Sequence, residues 1–286
     1  MSVRTPFTRA RGWAAGILAA AGVFSSIAVS ASAAERPLFP APLHITRELT
    51  DPVSQTRTVV DEYCHGSRVV AVSGHNTSIA DFEKGEVTSI DFEAGTYSVT
   101  KFEAIAKLHA RTATVSANAT AARPADWKVN RRGAMSVASR NGEGVDLERA
   151  DPAQRQQIHL TIDTQLTLSR PAVEALLGTG YPNRRDDTAD AIMSALRADR
   201  RTAAVTTNAA TAQQDGEYRL PLEYVSRFDV GGETIEVRNT VMRVGNELAP
   251  PEVLAIPPGA KLVDSSVVAA QRELDELDGK PTSRNP

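Results

Sequence analysis

Five histidines, one cysteine and a short acidic run are the residues through which this chain of 286 could do chemistry. A hydrolase of the serine type needs a nucleophile on a strained elbow, with His and an acid supplied from elsewhere, and no Gly-x-Ser-x-Gly occurs. His44, His65, His75, His109 and His159 stand singly, in none of the His-Glu-x-x-His, Cys-x-x-Cys or His-x-His spacings that hold a metal. Each reads as a surface histidine. Cys64 and His65 are adjacent, but neighbours on a strand point to opposite faces, so the imidazole cannot activate that thiol. Asp186, Asp187 and Asp190 suit the first turn of a helix, where carboxylates complement the dipole, better than a hard-cation site. No glycine-rich phosphate loop precedes a helix, and an aromatic content of 5% is too low for a base-stacking platform. The expectation is a protein that is not an enzyme, with no cofactor and no metal.

The charge pattern narrows the partners. Arg4, Arg9 and Arg11 precede an apolar run from Ala14 to Val29 and then Ala31-Ser32-Ala33, the layout of a secretory signal peptide. The run falls short of the ~20 residues that span a bilayer. Residues 1–34 are therefore expected to be cleaved, with an uncleaved anchor as the lesser alternative, leaving a soluble periplasmic product without stable membrane insertion. The formal charge of −3 becomes more negative once those arginines are lost, which argues against nucleic acid as a partner. With Cys64 alone, no intramolecular disulfide is available; it reads as a buried strand residue.

The remaining elements follow from periodicity and turn chemistry. Residues 35–42, with Pro37, Pro40 and Pro42, read as an extended lead-in. Leu43–Asp51 and Gln55–Cys64 are candidate strands. Arg68–Leu108 reads as a β-meander cut at Gly74, Gly85 and Gly95 and closed by a helix through Phe102, Ile105 and Leu108. Thr112–Arg123 is either an extension of that helix or a loop. A hairpin is expected around Asn141-Gly142, a long strand with one dry face over Ile158–Leu168, a helix opened by Pro171 and stopped by Gly178, and another begun at Asp186. Tyr218–Val230 and Glu233–Val244 pair through Gly231-Gly232, and Ala255–Val263 ends the sheet. Residues 265–286 form a weakly helical or disordered tail. Consecutive short strands of this kind pair antiparallel, so the fold class is mainly antiparallel β with helices (α+β).

Alternation places the apolar parity on one side of the sheet, and at about 25 cal/mol per Å² that side must be covered. The helical segments Thr100–Arg111 and Pro171–Arg197 are available to cover it. Complete cover makes a plain core; incomplete cover makes a cavity.

Two stretches carry a resemblance. Asp-Phe-Glu-Ala-Gly-Thr-Tyr-Ser-Val-Thr-Lys-Phe-Glu-Ala-Ile (Asp91–Ile105) and Val-Leu-Ala-Ile-Pro-Pro-Gly-Ala-Lys-Leu-Val (Val253–Val263), in this element order, resemble the periplasmic lipoprotein-carrier superfamily, the LolA-like proteins and their exported relatives. The resemblance implies a single half-barrel domain over residues 43–264, an unclosed curved sheet lidded by helices on its concave face. It also implies a carrier or chaperone that holds a lipid or a lipoprotein acyl chain in that concavity. The ligand-lining residues would be Val70, Val72, Ile90, Phe92, Leu160, Ile162, Leu222 and Phe228. The alternative is a structural or regulatory envelope protein with a filled core that acts by protein–protein contacts.

Overall fold

The structure is a computed structural model, and it describes residues 37–51, 54–117, 127–149, 156–180, 186–198, 217–230 and 233–278. The expected signal peptide, the turn at Gly231-Gly232, residues 118–123 and the last eight residues of the tail lie outside these. The first half of the sheet comprises β1 (Phe39–Thr50), β2 (Arg57–Gly66), β3 (Arg68–Ser73), β4 (Asn76–Asp81), β5 (Glu86–Asp91) and β6 (Thr96–Lys101), followed by α1 (Phe102–Ala117). The second half comprises β7 (Trp127–Val137), β8 (Arg140–Arg149) and β9 (Gln156–Leu168), then α2 (Arg170–Gly180) and α3 (Asp186–Leu196), then β10 (Tyr218–Val230) and β11 (Glu233–Gly245). A one-turn α4 (Pro251–Leu254), β12 (Lys261–Leu262) and α5 (Ser266–Leu277) complete the chain. All strands join one unclosed sheet in the order β12-β6-β5-β4-β3-β2-β1-β11-β10-β9-β8-β7. Every pairing is antiparallel except β12 with β6.

Local chemistry explains the meander. Asp81-Phe82-Glu83-Lys84-Gly85 and Asp91-Phe92-Glu93-Ala94-Gly95 are the same turn used twice: the aspartate accepts a hydrogen bond from the amide three residues on, Lys84 N at 3.0 Å and Ala94 N at 2.8 Å. The closing glycines adopt φ of 62° and 61°, the left-handed region that a side chain resists.

Three expectations are corrected. The lead-in overlaps β1, because Pro40 and Pro42 fall where the register against β2 slips between Phe39 and Leu43; a bulge tolerates residues with no N–H to give the ladder. Gly178 does not stop α2, which continues to Gly180. The β7–β8 hairpin turns at Ala138 and Ser139, with φ of 51° and 61°, and Asn141-Gly142 lies inside β8. Gly142 answers a packing need instead: a Cβ there would meet Thr161 Cγ2 at 2.7 Å and the Ile162 carbonyl oxygen at 3.1 Å. Gly142→Ala should therefore cost about 1–3 kcal/mol by overpacking, read as a lower urea midpoint. A change within 0.5 kcal/mol, the range of ordinary surface substitutions, would mean that β9 yields freely.

One face of the sheet is covered by helices. Across it run rungs such as Cys64–Val69–Ala80–Val87 in the first half and Leu147–Ile158 and Val145–Leu160 in the second. The helix α2 joins two core clusters, with Ala172, Ala175 and Leu176 facing the first and Val173 and Leu177 the second. This is the split expected when both sides of one helical stripe find apolar partners. Ser169 Oγ accepts from Ala172 N at 3.3 Å and caps that helix.

The other face is crossed by the C-terminal segment. Residues 246–260 leave β11 beside His44, pass β4 at α4 and reach β12, where Lys261 N donates to the Gly95 carbonyl at 2.9 Å. Then α5 returns to the helix side: Val267 enters the first core cluster, Gln271 Nε2 donates to the Ala104 carbonyl at 2.9 Å, and Arg111 bonds Asp275 and Asp278. The chain thus wraps the β6 edge. Among the described residues, no helix is long and apolar enough to cross a membrane.

Candidate functional site

The eight residues expected to line a hollow do not share a surface. Leu160, Ile162 and Leu222 lie beneath the helices with 0%, 1% and 0% exposure, packed into the two core clusters. Phe228 is half-buried on the same face, since it shares the parity of Tyr224, which opposes Leu160. Val70, Val72 and Ile90 belong to the opposite face, in rungs with Ile79, Thr77 and Tyr97. Phe92 sits in the turn after β5, its amide bonded to the His75 carbonyl.

Among the histidines, His44 departs most from the expectation of a surface residue. It is 5% exposed and stacks on Tyr63 with ring centroids 4.2 Å apart. Its Nδ1 meets Glu247 Oε2 at 3.1 Å and its Nε2 meets Asp61 Oδ1 at 2.9 Å, which fastens the start of the crossing segment to the sheet. His65 and His75 are exposed. Cys64 is buried and unpaired, and burial pushes its thiol well up, with Glu62 adding to the effect. Such a thiol is a poor nucleophile. The side chains of Asp186 and Asp187, at the start of α3, lie outside the described residues.

The side chain of His109 lies outside the described residues, and His159 stands in a large concavity built by the second half of the sheet. β7 and β11 are four strands apart in the order, which in a flat sheet would separate them by about 19 Å. Instead β7 approaches β11 to within 8 Å between Cα atoms, so β11, β10, β9, β8 and β7 curl into a trough. Its volume is about 510 Å³. His159, Gln157 and Asp146 in its lining belong to the face away from the helices, since they alternate with Leu160, Ile158 and Leu147 of the core, while Leu147 and Ile158 also border the trough. The register sets the side chains in rungs: Lys128, Glu148, Gln157 and Arg227 in one, Asn130, Asp146, His159, Val225 and Arg238 in the next.

Ion pairs knit these rungs. Asp146 accepts from Arg132 and, at 2.8 Å, contacts His159 Nδ1. Burial pushes the Asp146 carboxyl up, but the hydrogen bonds with His159 and Arg132 outweigh it and hold the group below the usual carboxylate range. Glu236 accepts from Arg227 at 2.8 Å and from Arg238 at 3.1 Å, and the Arg227 bond is the main reason its carboxyl is also lowered. Arg238 reaches Glu223 at 3.0 Å as well, and Glu223 accepts from Thr161 Oγ1 at 3.4 Å. A trough whose lining carries Asp146, Glu148, Glu223 and four cations beside Met135 and Val225 is suited to a ligand that can hydrogen-bond to these charged groups. Among the described residues no group of three or more His, Cys, Asp or Glu is placed to hold a metal.

The trough escaped the sequence-based reading, although its signal was there. The wet parities of Asp146/Glu148, Gln157/His159, Glu223/Arg227 and Glu236/Arg238 recur on four strands, and what sequence periodicity does not carry is the curl that turns them toward each other.

No family model and no curated protein matches the chain. Among solved structures it is similar to that of PNGF-II in a C2 space group, at 8% identity and a TM-score of 0.34, covering 81% of this chain and 32% of that one. The chain thus spans about a third of that structure, and a likeness at this level carries no argument about fold or activity.

Proposed function

We propose that this protein is a non-catalytic binding protein of the cell envelope, exported by its N-terminal signal, whose ligand site is the polar trough of β7–β11. The observation that carries this reading is a concavity of about 510 Å³ lined from five strands by Lys128, Arg132, Asp146, Glu148, His159, Glu223, Arg227 and Arg238, on the face the helices leave open. The competing proposal is the one the family resemblance implies, an acyl-chain carrier whose helices lid a concave apolar face. It would need room beneath α2 and α3, where Leu160, Leu222, Leu176 and Ile192 each have 0% exposure. The filled helix side favours the trough.

Hydrogen–deuterium exchange on the purified protein separates the two. A water-soluble polar ligand that slows exchange in β8, β9 and β10 is the expected result. Co-purifying lipid whose extraction speeds exchange in α2 and α3, with no polar ligand acting on the strands, would replace the trough by the carrier.

A further inference from the structure

We infer that the trough takes an elongated ligand bearing at least two anionic groups, carboxylate, phosphate or sulfate, held between its facing walls; the inference rests on the trough being the binding site. Four cations and three carboxylates line it, so net charge alone decides little. What decides is which of these groups are already committed. Asp146 is occupied by Arg132 and His159, Glu223 by Arg238 and Thr161, and Arg238 spends all three of its nitrogens on Glu223 and Glu236. Arg132 and Arg227 each bond their carboxylate through Nε, which leaves the two terminal nitrogens of each fork for another partner. Lys128 adds a third uncommitted cation among the described residues, and Glu148, opposite it in the register, is the one lining carboxylate in the same position.

Depth sorts the charges the same way. The side chains of Arg132 and Arg227 are 62% and 54% exposed, whereas those of Asp146 and Glu223 beneath them are 22% and 16%. A ligand entering the trough meets guanidinium first. The curl brings β7, which carries Lys128 and Arg132, to within 8 Å of β11, the neighbour of the β10 strand that carries Arg227, so these like charges line one opening. At ordinary ionic strength the Debye length is roughly 10 Å, so charges nearer than that are only partly screened. One anionic group on each wall relieves that repulsion and uses the free forks, whose planar geometry matches carboxylate and phosphate.

Titration calorimetry at low salt with inorganic tripolyphosphate, trigalacturonate, inorganic phosphate and neutral maltotriose tests this on the full chain. Tripolyphosphate or trigalacturonate should bind at least tenfold more tightly than inorganic phosphate, weaken as NaCl is raised, and lose at least tenfold in the double variant Arg132→Gln with Arg227→Gln. Which of the two binds better distinguishes a phosphate source from a carboxylate one. Lys128→Gln, at a residue with no ion pair to break, gives the same readout should the double variant fold poorly. Binding of neither polyanion, or binding indifferent to these substitutions, overturns the inference. If maltotriose alone binds and slows exchange in β8–β10, the trough stands and the charge assignment falls; if no probe acts on those strands, both fall.

Discussion

Replacing Glu62 with alanine destabilises the protein by about 3–5 kcal/mol, the cost of leaving a buried charge without its partner. Arg47 Nε donates to Glu62 Oε2 at 2.6 Å, and both side chains are 1% exposed. They share the helix-covered face of β1 and β2, since Glu62 opposes Ile45 and Arg47 opposes Val60. Removing the carboxylate takes from the buried Arg47 guanidinium its 2.6 Å ion-pair partner, on a strand face shared with the buried Leu43 and Ile45. The measurement is the free energy of unfolding in urea. The paired replacement, Arg47→Met with Glu62→Leu, should instead leave stability unchanged or raise it, because neither member then pays for desolvation. A loss below ~1 kcal/mol for Glu62→Ala, the scale of an exposed pair, would mean that water reaches the site.

Leu160→Ala carries the second large effect, about 2–5 kcal/mol, as expected for truncation of a fully buried leucine that leaves a cavity. Leu160 opposes Val145 and Tyr224 on the strands and packs in the cluster that Val173, Leu177 and Ile192 close from the helices. This variant also discriminates between the two functional readings. In a filled core the methyl groups are lost from tight packing and the full cost is felt. Were Leu160 the wall of a hollow that holds an alkyl chain, much of its surface would already face a void, and truncation would cost under ~1.5 kcal/mol, little more than the transfer of the deleted carbons. Urea unfolding of the ligand-free protein gives the number directly.

Much of the fold was legible residue by residue. The meander announced itself because Gly74, Gly85 and Gly95 are needed for positive φ, with Asp81 and Asp91 closing two of the turns. Amphipathic periodicity placed α2, α3 and α5, and alternation placed β9, β10 and β11. The failures have physical causes. Asn141-Gly142 looks like a hairpin turn, but the glycine serves the close approach of Thr161, and the turn is made by Ala138 and Ser139, a pair with neither glycine nor asparagine for the positive φ it adopts. His44 looked solitary because its partners Asp61 and Glu247 meet it only through pairing of distant strands and the crossing segment. The candidate lining residues were chosen from the alternation of their own strands, although Phe92 lies in the turn after β5, and parity cannot say that Val70 and Leu160 face opposite sides of one sheet. That relation is set by the register of β1 with β11.

The same pairing governs how the molecule comes into being. His44 lies beside Gly245 and Thr50 beside Arg238, so the hydrogen bonds that weld the two halves of the sheet close loops of about 200 residues. Contacts this remote in sequence form slowly, since the entropy of closure is lost before any burial rewards it. Until β11 has been synthesised, β1 offers a bare backbone edge beside β2, the kind of surface on which nascent chains associate wrongly. A truncation anywhere before residue 245 should consequently yield aggregate rather than a smaller folded unit, and maturation of the intact chain should benefit from a holdase that shields β1 in the meantime.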